Sequence, residues 1–173
     1  MIYFDNCATT FVDKRVLDVF NKVSLDFPGN SNSLHSLGVK SKELEDYASE
    51  RILKLLNIND SDIIYTSGAS ESNNTAIKGI CFKYSNRGKH IITSKLEHSS
   101  VSKCMDFLID NGFEVDYVNI LDNGLIDLDH LKSLIRDDTI LVSISFVNSE
   151  VGVIQNIEEI GKFLKKYPKV IFH

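Results

Sequence analysis

From Asp62 onward the chain alternates short apolar runs of strand character with amphipathic helical segments, and this alternation restricts the fold more than any other feature. The runs are IIYTS (63–67), HIITS (90–94), FEVDYVNI (113–120), ILVSISFV (140–147) and KVIF (169–172), rich in β-branched and aromatic residues. Between them, 75–84 carries Ala76, Ile77, Ile80 and Cys81 on one helical face, and 99–109 carries Val101, Cys104, Met105 and Leu108. A further helix is expected over 157–167, with Ile157, Ile160, Gly161 and Leu164 inward. Strand, helix, strand in this order demands crossover connections. The fold class is therefore α/β, a mainly parallel sheet with helices on both faces.

Before Asp62 the pattern is different. A short strand is expected over 2–4, followed by a helix N-capped by Asp13 with Val16, Leu17, Phe20 and Val23 on one face. A polar loop, 27–35, precedes a longer helix reaching about Leu56. Prolines occur only at Pro28 and Pro168, and nothing repeats, so the chain reads as one continuous unit. A hydrophobic fraction of 43% with 25% charged residues suits a soluble globular protein. The net charge of −5, without a basic run, argues against nucleic-acid binding. No apolar stretch approaches the ~18 residues of a membrane span, and the start MIYFDN lacks a signal-peptide pattern. Cys7, Cys81 and Cys104 form no CxxC pair and read as reduced thiols of a cytoplasmic protein.

In an open α/β sheet, ligands bind beyond the carboxyl ends of the strands. Three segments there are dense in small, polar and titratable residues: SGASESNN, KLEHSS and NSEVG. In the first, a strand ends, Gly68 permits a sharp turn and a helix begins, which leaves backbone N–H groups free for a phosphate. Either that turn cradles a phosphate, with hydroxyls of Ser67 or Ser70 adding donors, or those serines only cap the helix. The segment is neither a Walker loop nor a GxGxxG fingerprint. His98 is either a proton shuttle or ring-stacking group, or a surface histidine near a helix start. Asn148 either donates to a ligand oxygen or caps a turn, and Glu150 reads as structural. His35 lies in a polar loop able to approach a site, whereas His90, at the start of a strand, and His130, on a helix, read as structural. The histidines are too scattered for a metal site.

Together these segments resemble the cysteine desulfurases, in the class V aminotransferase group of pyridoxal-phosphate enzymes of fold type I. The resemblance runs through IYFDNCATT (2–10), GNSNSLHSLG (29–38), YTSGASESNNTAIKG (65–79), HIITSKLEHSSV (90–101), VSISFVNSEVGVIQNIEEI (142–160) and KVIFH (169–173). It implies that the backbone of Ala69 and Ser70 and the Ser70 hydroxyl hold the cofactor phosphate, at a position commonly Thr in the family. It implies that His98 stacks on the pyridine ring and moves protons. Asn148 is implied to lie near the ring hydroxyl and the substrate carboxylate. The family reaction takes sulfur from L-cysteine, leaving alanine and an enzyme persulfide that serves a sulfur-acceptor protein, as in iron–sulfur cluster assembly. Departures include Cys7, where Asn or Ser is usual, and Ser31-Asn32, where Pro-Ser is common.

In the family, an aspartate pairing with the pyridinium, a glutamine, and a Ser-x-His-Lys segment with the cofactor-bearing lysine follow the strand resembling KVIFH. The persulfide cysteine and a substrate-gripping arginine come later. None lies within these 173 residues, and Lys165, Lys166 and Lys169 precede the required place. The resemblance therefore implies an N-terminal portion: an arm over 1–12 from the small domain, and an incomplete cofactor-binding large domain over 13–173. Such a chain is expected to be inactive alone and not to retain pyridoxal 5'-phosphate, because the phosphate turn and ring stacking contribute only a few kcal/mol each. An incomplete sheet leaves unpaired edges, so self-association is expected. The alternatives are part of a selenocysteine lyase or aminotransferase of the same class, or a non-catalytic assembly partner.

Overall fold

Two buried strands organise the second of the two contact units, Met1–Tyr65 and Thr66–His173, into which the chain divides. The computed structural model describes residues 2–173; Met1, the first residue of the expected arm, lies outside the described residues. β1 (His90–Ser94) and β3 (Thr139–Ser143) are buried at every position. They pair in parallel, Ile91 beside Leu141 and Ile92 beside Val142. β2 (Glu114–Val118) flanks β1 and β4 (Ile171–Phe172) flanks β3, giving the all-parallel order β2-β1-β3-β4.

Parallel neighbours need crossover connections, and the helices between the strands cover both faces of this sheet. On one face, α3 (Ala69–Lys83) and α4 (Ser99–Asp110) bring Ile77, Cys81, Val101, Met105 and Leu108 against Ile91 and Leu141. On the other, α5 (Leu128–Leu134) and α6 (Ile157–Leu164) bring Leu131, Ile160 and Leu164 against Ile92 and Val142. Successive strand residues point to opposite layers, as the pleat requires. The exception is Ile140, an extra residue in the β1–β3 register, which joins the same cluster as its neighbour Leu141. Each fully buried Leu, Ile or Met contributes roughly 1.5–3 kcal/mol of transfer free energy.

At the amino ends of the strands, buried His90 ties β1 to both neighbours. Its Nδ1 lies 2.7 Å from Thr139 Oγ1 and its Nε2 3.1 Å from Asp116 Oδ2. This is the structural use expected for His90.

In the first unit, α1 (Lys14–Asp26) is N-capped by Asp13, whose carboxylate accepts from Arg15 N at 2.8 Å. α2 (Ser36–Leu55) is capped by His35, whose Nδ1 accepts from Gly38 N at 3.3 Å. Gly38 is required here, since a side chain would meet the Ser33 and Asn30 carbonyls.

Several boundaries differ from the sequence expectation. Residues 2–4 and 63–67 are not strands; Phe4 is 92% exposed and Ile64 78%, and neither segment joins a ladder among the described residues. Their β-branched and aromatic composition is not enough, because a strand exists only with a neighbour for its N–H and C=O groups. The runs 113–120 and 140–147 pair over only five residues each. α3 starts at Ala69 rather than 75, because its first turns are polar and carry no apolar periodicity. α5 carries His130, a residue the sequence places on a helix; its seven residues are too few for a periodic signal to set its limits, and Asp127 caps it by accepting from Asp129 N and His130 N at 3.0 Å each.

The α4 packing gives a direct test. Leu108→Ala, at a fully buried position, is expected to cost about 2–5 kcal/mol. Ile109→Ala on the outer face of the same helix should cost far less, about 0.5 kcal/mol. Urea unfolding followed by circular dichroism measures both, and equal losses would contradict the layer assignment.

Candidate functional site

The chain leaves β1 through α4 toward β2, and leaves β3 through α6 toward β4 on the opposite side. Loops departing in opposite directions open a crevice at the carboxyl ends of β1 and β3, the switch point where α/β sheets bind ligands. Two side chains tie these loops together. Glu97 Oε1 accepts from Ser94 Oγ and from Ser145 N, both at 2.8 Å. Asn148 Nδ2 donates to Leu96 O at 3.1 Å, while its Oδ1 accepts from Glu150 N and Val151 N at 2.9 Å each. Asn148 thus caps its turn, and one of its two N–H donors remains for a ligand. Glu97, His98, Ser99, Ser145, Asn148 and Glu150 line a cleft of about 410 Å³ between the loops.

α3 presents an open first turn, and Asn73 ties that helix to Ser100 beside the cleft. Its N-cap, Gly68, has extended backbone and no side chain to cap the first turn. Among the described residues, the amides of Ala69, Ser70 and Glu71 and the Ser70 hydroxyl find no acceptor. Space above Gly68 is open. Instead of covering these amides, Glu71 turns back and accepts from Ser67 N and Ser67 Oγ at 2.7 Å each. Those bonds hold its carboxyl below the ordinary glutamate value. Neither Ser67 nor Ser70 caps the helix, so the first turn keeps its partial positive charge exposed.

His98 is the N-cap of α4, its Nδ1 accepting from Ser100 N at 3.1 Å. Ser100 Oγ lies 2.9 Å from the same Nδ1 and accepts from Asn73 Nδ2, also at 2.9 Å. Asn73, on the second turn of α3, thereby links the helix bearing the open amides to the imidazole. Sequence reasoning passed over Asn73, Ser100 and Glu97. Their positions beside Ser70 and His98 were visible, but hydrogen bonds spanning 27 and 48 residues leave no local signal.

The other candidates have structural partners. His35 caps α2, and His130 Nδ1 accepts from Asn119 N at 2.9 Å. Cys81 and Cys104 are buried. Burial, with Cys104 nearby, pushes the Cys81 thiol up to about 12, and burial also raises Cys104. Neither is an activated nucleophile. Cys7 is exposed. Among the described residues, no three His, Cys, Asp or Glu side chains gather as a metal centre. No described helix is long and apolar enough to cross a membrane.

The arrangement offers unpaired amides to an anion, with an imidazole and a carboxamide beside the cleft. The Aminotransferase class-V family matches residues 2–173. The cysteine desulfurase IscS of Neisseria meningitidis serogroup C is 45% identical over 174 residues, covering 99% of this chain and 43% of that protein. IscS of Colwellia psychrerythraea is 46% identical with the same coverage of both, so the chain spans less than half the length of these curated relatives. Among solved structures, a NifS-like protein superposes with a TM-score of 0.95 at 38% identity, over 99% of this chain and 48% of the other. SspA in complex with cysteine gives 0.91 at 38% identity, over 99% and 49%. With a family match along almost its entire length, the chain belongs to the class V aminotransferases.

Proposed function

We propose that these residues supply the phosphate-holding and ring-facing part of the pyridoxal-phosphate site of a cysteine desulfurase. The observation that carries this reading is the open first turn of α3, joined through Asn73 and Ser100 to His98 at the β1/β3 crevice. Relatives named as cysteine desulfurases and a similar structure in complex with cysteine support the choice of substrate. The amides of Ala69 and Ser70 and the Ser70 hydroxyl would hold the phosphate. His98 would lie against the ring, and Asn148 would use its remaining N–H donor toward the ring hydroxyl or the substrate carboxylate. Pyridoxal phosphate, when bound, supplies the electron sink for bond cleavage in the amino acid. The chain's own residues hold the anion, orient the ring and tie the two loops that form the cleft.

The whole reaction would convert L-cysteine to L-alanine and pass persulfide sulfur to an acceptor protein, as in cytoplasmic iron–sulfur cluster assembly. It needs the cofactor-bearing lysine, the pyridinium-pairing aspartate and the persulfide cysteine, which the family carries beyond the segments represented here. Holding by these residues alone is weak. The outer edge of β2 has no partner among the described residues, which favours self-association.

Three outcomes follow. Ser70→Ala should weaken binding of pyridoxal phosphate by about 5-fold, the loss of one hydrogen bond, and leave pyridoxal without its phosphate unaffected; fluorescence titration compares the two, and equal effects on both would contradict the assignment. Incubated with pyridoxal phosphate and L-cysteine, the 173-residue chain should release alanine no faster than free cofactor does, and a clear excess by amino-acid analysis would refute the need for the further residues. Sedimentation equilibrium should detect species heavier than the 19.5 kDa monomer; a monomer at every concentration would refute self-association.

A further inference from the structure

His98 Nδ1 receives two neighbours, and the proton inventory of each fixes its own role. The Ser100 backbone N–H, 3.1 Å away, can only donate. The Ser100 hydroxyl, 2.9 Å away, has one proton and can donate or accept. Asn73 fills one lone pair of that hydroxyl: its carboxamide nitrogen donates to Ser100 Oγ at 2.9 Å. The backbone N–H can only donate, so Nδ1 accepts from it, and the hydroxyl proton is left to turn toward the imidazole as well. With two donors converging on it, Nδ1 must present its lone pair, and the neutral ring carries its proton on Nε2. Among the described residues, Nε2 has no protein partner.

From this geometry we infer that Asn73 and Ser100 are positioning residues that lock neutral His98 in the Nε2–H tautomer. Ser100 is buried and Asn73 half-buried, while the imidazole they lead to is exposed. The consequence for chemistry rests on the function proposed above. Neutral His98 meets a bound ligand as a hydrogen-bond donor through Nε2, the role a helix N-terminus imposes on a histidine it caps. It accepts a proton only at Nδ1, which costs the cap to α4 and turns the Ser100 hydroxyl from donor to acceptor. Donation through Nε2 is therefore built into the resting site, and proton uptake requires the cap to break and the Ser100 hydroxyl to turn.

The test reads the tautomer directly and needs no cofactor. In the full chain with ¹⁵N-labelled histidine, above the ordinary titration range of the imidazole, long-range ¹H–¹⁵N spectra assigned with His98→Gln should give an unprotonated Nδ1 and a protonated Nε2. A dominant Nδ1–H form would overturn the inference. Ser100→Ala and Asn73→Asp should each raise the Nδ1–H population by about 5-fold, one neutral hydrogen bond. In Asn73→Asp the carboxylate draws the serine proton away while keeping the side-chain shape. Dispersed amide spectra check that each variant is folded, and the unmutated chain tests the tautomer independently of both. An unchanged tautomer in both folded variants would assign the control to the backbone cap alone and remove the positioning role. Failure of pyridoxal phosphate to bind would count against the proposed function and leave this result standing.

Discussion

The parallel pairing of β1 with β3 is the constraint from which the second unit follows. Both strands are buried throughout, so their side chains need an apolar layer above and below, and a parallel ladder needs a crossover between every pair of neighbours. Four helices supply the layers, and three of them, α4, α5 and α6, also serve as the crossovers. Because the chain exits β1 to one side and β3 to the other, the same pairing opens the crevice at their carboxyl ends. The position of the site is thus a consequence of strand order. Glu97 and Asn148 then stitch the two exit loops across that crevice.

Helix ends complete the arrangement, and they are used in two ways. α4 is conventionally satisfied, with His98 acting as its cap. α3 is left unsatisfied: glycine occupies the N-cap, the nearby carboxylate binds Ser67, and the first amides face open space. With glycine at the N-cap, the open first turn sacrifices only about 0.3 kcal/mol relative to a Ser or Asp cap. A first turn left open in this way, beside a cleft lined by an imidazole and a carboxamide, fits an anionic ligand that supplies the missing acceptors. Asn73 and Ser100 join the two helix ends, so that the amides and the ring are held by one hydrogen-bonded series.

The layered α/β fold was legible in the sequence because it rests on local signals. HIITS forms β1 at its expected limits, Asp13 caps α1, and Leu108, Met105 and Cys104 point inward as their spacing requires. What failed to show was whatever depends on a distant partner. IIYTS has strand composition but no neighbour in a sheet among the described residues, and α5 is held by Leu131 against the sheet rather than by its own periodicity. Within the site, Ser70, His98 and Asn148 stood out by residue type and by position after a strand. Capping was an open reading for Asn148 alone; His98 was read otherwise as a surface histidine near a helix start, and the structure makes both side chains caps. Glu97, Asn73 and Ser100 act through contacts far apart in sequence, which a single chain of letters does not display.

The central claim is that the first turn of α3 and the β1/β3 crevice receive one ligand between them. Amide-resolved NMR during titration with pyridoxal phosphate examines this most directly, because it registers weak binding residue by residue. The account predicts that Ala69, Ser70 and Glu71 shift together with His98 and Asn148 along a single saturation curve, while inorganic phosphate moves only the α3 group. Shifts confined to surface lysines, or an α3 turn that stays silent while the crevice responds, would contradict it.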